Sequence, residues 1–347
     1  MPQDGSREDY IAFIEKLPIN DSTDIFGMHD NAEITSAINF TNQMLGTALT
    51  LQPRAAAAAG KTQDQVLAES AANLLSKIPK EFDEEYAAKR HPITPEESMN
   101  TVLLQEILRF NRLVQIVRSS LVNIGKAIKG EVVMSVELEA VGNSIFDNRT
   151  PAMWMKRSYP SLKPLASYVV DFVERLDFIQ RWVDEGAPPT FWISGFFFTQ
   201  SFLTGIKQNY ARKYVIAIDQ IEFDYEVFSA KNGYDEKIAP ADGAFTHGMY
   251  LEGCRWDSDL NMLAESQPKV LFTKMPHIYF KPAKKDDIVF PHCYTCPVYK
   301  TLDRRGTLST TGHSTNFVCM VELPMQKRHS LKHWVKRGTA LITQLND

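Results

Sequence analysis

The feature that most constrains this chain is a change of period. From about Asn31 to Arg212 the apolar residues recur every three or four positions, and after about Glu222 they alternate every second one. A period near 3.6 turns one face of an α-helix toward a core, whereas a period of two does so for one face of a strand. The two parts therefore demand different architectures, an α-helical array first and β-structure after it.

The clearest helical pattern is Leu103, Ile107, Phe110, Val114, Val117, Leu121, Ile124 and Ile128, a continuous apolar stripe at steps of four and three. Ahead of it Thr94 is placed to cap, Pro95 suits a first turn and Glu97 completes a capping box, while Gly130 is the natural stop. The spacing predicts a helix from Pro95 to about Lys129, on the order of 50 Å long, which could serve as a strut against a larger body. A second helix is predicted after Pro164, ending at Gly186 and Pro188-Pro189, and a third from Gly195 to Arg212. The most apolar stretch, Phe191 to Ile206, contains Ser194, Gln200 and Ser201 and is shorter than the roughly 20 residues that span a bilayer. It is expected to be a buried helix, and no membrane contact is expected. The alanine run Arg54 to Gly60 and the segment Lys89 to Pro92 read as surface connections.

In the second part IEFDYEV, GMYLEGCRW, KVLFTKMPHIYF, CPVYKTL, NFVCMVELPM and TALITQL are short runs rich in Val, Ile, Tyr and Phe between turn-forming clusters. Several short strands without long helices between them imply an antiparallel sheet, and their number predicts closure into a barrel that hides edge strands. The expected class is α+β: an N-terminal α-helical array with a long helix, followed by a C-terminal antiparallel β-barrel.

Charge and cysteine usage narrow the functions. A net charge of −4 over 347 residues lacks the basic excess that a nucleic acid attracts. The segment MPQDGSREDY has no apolar core of signal-peptide length, and four cysteines make a poor disulfide framework, so an intracellular protein with reduced thiols is expected.

Motifs that carry chemistry are weak. Gly60-Lys61-Thr62 resembles the end of a phosphate loop, but the position five residues before Gly60 is Ala55, where that loop needs glycine. His292, Cys293 and Cys296, with Cys254 and His277 in nearby runs, are donors a zinc ion accepts, yet Cys293 and Cys296 fall on opposite faces of a strand. A metal-assisted or nucleophilic hydrolase built on them is the lesser alternative. Gly312 to Asn316 does not match a nucleophile elbow. Asp83, Glu84 and Glu85 read as a solvated face, and Trp154, Trp182, Trp192 and Trp256 as core more than interface. No catalytic, cofactor-binding or metal-ligating residue is assigned. The basic end, Lys327, Arg328, His329, Lys332, His333, Lys336 and Arg337, is interleaved with Leu331, Trp334 and Val335. Lys332, Trp334, Lys336 and Arg337 are the candidate protein-docking surface.

Five stretches carry a resemblance. FGMHDNAEIT (Phe26 to Thr35), PPTFWISGFFFTQSFLTGIKQNYARKY (Pro188 to Tyr214) with DGAFTHGMYLEGCRWD (Asp242 to Asp257), and CPVYKTLDRRGTLSTTGHSTNFVCMVELP (Cys296 to Pro324) with the closing HWVKRGTALITQL resemble the C-terminal domain of dynein heavy chains, of the axonemal, inner-arm type. Met28 stands where that family usually has leucine. The resemblance implies that 1–25 end the small subdomain of the sixth AAA+ module, 26–222 form an α-helical subdomain and 223–347 a β-barrel. It further implies a non-catalytic regulatory and structural role in a minus-end-directed microtubule motor, bracing the AAA+ ring of the same heavy chain. ATP hydrolysis and microtubule binding would belong to ring modules and a stalk outside this sequence. No cofactor is expected here; other axonemal dynein subunits are possible partners, and the place is the cytoplasmic cytoskeleton of a cilium or flagellum axoneme.

Overall fold

The computed structural model describes residues 5–17, 22–51, 62–229, 232–304 and 315–346. The alanine run, Gly60-Lys61 and Gly312 to Ser314 lie outside them; Thr62 caps the helix that follows, closing a capping box with Gln65.

The helices are α1 (Arg7–Glu15), α2 (Asn31–Leu51), α3 (Gln63–Lys77), α4 (Glu84–Arg90), α5 (Ser98–Ile128), α6 (Val136–Phe146), α7 (Ala152–Met155), α8 (Leu165–Glu185), α9 (Thr199–Tyr214) and α10 (Leu331–Lys336). The predicted long helix is α5, and its apolar stripe from Leu103 to Ile124 is buried. Helices α3, α4, α6, α7, α8 and α9 all pack against it. The stripe is thus consumed within the domain, and α5 is the axis of its own core. It starts three residues later than predicted: the Ser98 amide donates to Asn209 Oδ1 of α9 at 2.7 Å, and the Met99 amide to Glu97 Oε1 at 2.9 Å. A side chain from a distant helix therefore caps α5, and Thr94 instead closes a small turn by bridging to Glu97. Asp83 of the acidic run caps α4, accepting from the Tyr86 amide at 2.9 Å.

The predicted helix from Gly195 begins only at Thr199. Ahead of it lie β1 (Thr190–Trp192), a 3-10 turn at Ile193–Gly195 and extended backbone. Glu106 of α5 accepts from the Phe197 and Phe198 amides, and Lys300 Nζ donates to the Phe196 and Phe197 carbonyls at 3.3 and 2.7 Å. These backbone groups are satisfied by buried charges, so they need no helical partners.

The remaining strands are β2 (Ile221–Val227), β3 (Ala244–His247), β4 (Tyr250–Glu252), β5 (Arg255–Asp257), β6 (Met262–Ala264), β7 (Phe272–Lys274), β8 (Ile278–Lys284), β9 (Cys293–Tyr299), β10 (Phe317–Pro324) and β11 (Ala340–Ile342). They do not close into a barrel. One sheet runs β1-β3-β8-β2, another β10-β9-β11-β4-β7, and β5 pairs β6 alone. Nor are they wholly antiparallel, since β1 lies parallel to β3 and β11 to β9. Where a barrel would need a ladder between β2 and β10, Tyr225 Oη donates to the Met320 carbonyl at 2.8 Å, a side-chain link across two edges. Helix α9 lies against β2, β8 and β10, so those edges are covered without closure.

One buried apolar cluster joins both parts, from Ala71 to Leu341. It holds Trp154, Trp182, Trp256 and Trp334; Trp192 packs against it partly buried. No helix among the described residues is long and apolar enough to cross a membrane.

Candidate docking surface

Of the four residues singled out for docking, two reach solvent. Lys332 and Lys336 are exposed on α10, together with Lys327 and Arg328 just before it. Trp334 is 0% exposed and belongs to the core. Its face of α10 turns inward because a short helix beside a sheet must bury its largest apolar side chain. Arg337 is drawn back against Glu265, with Nε 3.3 Å from Oε2, and His333 meets the other oxygen of the same carboxylate.

The segment resembling the start of the family domain folds beside this helix. Gly27 has a positive φ of 75°, and a Cβ there would stand 2.9 Å from Lys336 Cδ. Asn31, the first residue of α2, is buried and works as a clamp. Its Nδ2 donates to the carbonyls of Gln267 and Val270 at 3.0 and 2.8 Å, and its Oδ1 accepts from the Lys269 amide at 2.7 Å. Lys269 sits at a positive φ of 67°, so the clamp holds a turn that lysine rarely adopts. A cavity of about 350 Å³ lies at this junction, between Met28, His29, Glu252, Arg304, Lys336 and Arg337.

Beyond Asn31 the N-terminal helices leave apolar side chains in solvent. Ile11, Ile14 and Leu17 in and after α1, Ile25 and Phe26 in the turn, and Ile38, Phe40, Met44 and Leu45 on α2 are all exposed. Large exposed apolar side chains gathered in one segment are the raw material of an interaction face. Sequence reading passed over it because a helix pattern shows that an apolar face exists, not what covers it.

The interior holds a buried ion pair. Arg175 is buried on α8, with Nε 2.7 Å from Asp171 Oδ2 and its guanidinium 3.9 Å from the Tyr159 ring centroid. Tyr159 Oη and Gln344 Nε2 donate to the same oxygen at 2.8 and 3.1 Å. Burial works to raise the Asp171 carboxyl, but the Arg175 charge and these hydrogen bonds prevail and hold it below the usual range. Arg175 also donates to the Ser194 carbonyl, while Ser194 Oγ reaches the Gly248 and Thr343 carbonyls at 3.0 and 2.5 Å. Helix α8, the aromatic segment and the last residues are tied together by this network.

The thiols are set against nucleophilic work. Burial pushes Cys293 up to about 11 and Cys254 and Cys319 to about 12. Cys293 and Cys296 alternate along β9, partly exposed and buried, and His292 is exposed. His277 pairs instead with Glu236, Nδ1 to Oε2 at 3.3 Å. Among the described residues these groups do not form a three-ligand cluster.

A buried core thus stands beside helices whose apolar side chains reach solvent. The sequence belongs to the family of C-terminal domains of dynein heavy chains, which it matches over residues 38–343. It is 50% identical to dynein axonemal heavy chain 3 of Homo sapiens over all of its length. It is 47% identical to human dynein axonemal heavy chain 12 over all of its length, and 47% identical to human dynein axonemal heavy chain 1 over 97% of it. It spans 8%, 11% and 8% of these three relatives.

Proposed function

We propose that this protein is a non-catalytic regulatory and structural domain of an axonemal dynein heavy chain, working in the axoneme of a cilium or flagellum. In this reading residues 1–25 finish the small subdomain of the sixth AAA+ module, and 26–222 and 223–347 form the helical and β subdomains. The domain braces the AAA+ ring of its own heavy chain, and ATP and microtubule binding belong elsewhere in the motor.

The observation that carries the reading is the exposed apolar surface of α1 and α2 beside a core complete without it. A brace changes motor output only by contacting ring conformations unequally. Placing Glu at Ile38, Phe40 and Met44 in an assembled motor therefore should alter gliding velocity or stall force while ATP turnover persists. Unchanged motility with an intact ring would overturn the bracing role. Saturable ATP binding to the isolated domain in calorimetry would overturn its non-catalytic character.

A second reading, docking of another axonemal subunit, is favoured by the exposed Lys327, Arg328, Lys332 and Lys336. Charge reversal there should weaken capture of an acidic partner and leave gliding by the motor alone intact. Unaltered capture would remove that surface from consideration.

A further inference from the structure

Glu265, at the end of β6, meets two histidines that come 64 and 68 positions later. One ligating atom from each of Glu265, His329 and His333 lies within 4.8 Å of the others, the one such triad among the described residues. We propose that these three side chains form a binding site for a divalent transition-metal ion, zinc foremost, that staples α10 to the connection between β6 and β7.

The donor set is right for this ion. Two imidazoles and a carboxylate are borderline ligands that zinc accepts, and three protein ligands leave a fourth position for water or another donor. Zinc bonds near 2.0 Å hold neighbouring donors roughly 3.3 Å apart, so His333 and Glu265, now in direct hydrogen bond, open slightly while His329 moves in by about 1.5 Å or less. His333 and Glu265 are 27% and 34% exposed, which leaves room for that adjustment and an approach from solvent.

The surroundings orient the ligands. The rings of His329 and His333 lie 4.3 Å apart, and the buried Trp334 holds both, at 5.3 and 5.0 Å between centroids. Arg337 Nε, 3.3 Å from Glu265 Oε2, turns the carboxylate so that Oε1 faces His333. Such outer contacts fix ligand geometry in metal sites. Arg328 Nε donates to His329 Nε2 at 3.1 Å, so that nitrogen presents its lone pair. Arg328 is exposed and free to swing aside as an ion arrives. The scaffold is firm as well, because Leu263 of β6 bridges to Met325. Glu265 stands two residues before Gln267, whose carbonyl Asn31 clamps. A filled site therefore stiffens the turn on which α2 is seated.

The test is zinc alone, dialysed against the 347-residue protein after chelator treatment and counted by elemental analysis. One zinc per molecule is expected, with a rise in melting temperature on addition. His329→Ala and His333→Ala should each weaken binding about tenfold or more, Glu265→Gln should weaken it, and Cys293→Ser with Cys296→Ser should leave it unchanged. Should His333→Ala fail to fold, His329→Ala, outside the helix, carries the test. No stoichiometric zinc, or zinc retained by the double histidine variant, overturns the site; loss with the cysteine pair instead does the same.

Discussion

At the scale of single residues, burial decides what each ionisable group contributes. The Asp171–Arg175 pair sits where either charge alone would be stranded, and removing one partner of a buried pair costs about 3–5 kcal/mol. Arg175→Met should accordingly lower the unfolding free energy read from urea titration by that amount, and the double variant with Asp171→Leu should lose less than the two single losses added together. A fully additive cycle would show that the two charges do not act as a pair. His247 of β3 gives a pH signature. Burial lowers its imidazole to about 4, and the nearby His277 and Lys274 add to the effect, while Glu236 opposes it. Between pH 6.5 and about 4 the unfolded state binds a proton that the folded state refuses, so stability must fall on acidification through that window. His247→Gln should flatten this part of the melting-temperature profile, and an unchanged slope would assign it to other groups.

At the scale of elements, the turns that seat strands and helices are the sensitive points. Gly243 has a φ of 78°, and a Cβ added there would stand 2.3 Å from the Phe280 carbonyl of β8. Gly243→Ala should cost at least about 1 kcal/mol, more than an ordinary surface change, and a melting temperature within error of the parent would refute the crowding. Asn31→Ala removes three hydrogen bonds from one turn, so hydrogen exchange should quicken at 267–270 while α5 keeps its protection. Acceleration spread evenly over the molecule would instead make Asn31 a global support. The period alone made α5, α8 and strands such as β2, β9 and β10 legible, because their buried faces repeat over many residues. It could not show closure, since whether two sheet edges pair depends on contacts far apart in sequence, as Tyr225 to Met320 illustrates. The late start of α9 was hidden for the same reason: Glu106 and Lys300 lie 91 and 103 positions from Phe197. On α10, positive charge suggested an outward surface, but Trp334 faces inward, and the Glu265 triad appears only once β6 is placed beside it.

For the whole molecule, the division of labour follows from where burial begins. Before Ala71 only Asn31 is buried among the described residues, whereas the apolar cluster from Ala71 onward joins the helices to both sheets. Residues 62–347 should therefore fold cooperatively without the preceding segment. The melting temperature should drop by only a few degrees, in keeping with about 1–3 kcal/mol for the lost Asn31 clamp. The shortened protein should also bind less hydrophobic dye and self-associate less, because the exposed apolar residues of α1 and α2 are gone. A shortened protein that keeps its helix signal but melts without cooperativity would show that α1 and α2 belong to the core. The bracing reading would then lose its contact face. A shortened protein that melts sharply leaves those helices with no duty in the core beyond the Asn31 clamp, which is what a surface reserved for a larger neighbour requires.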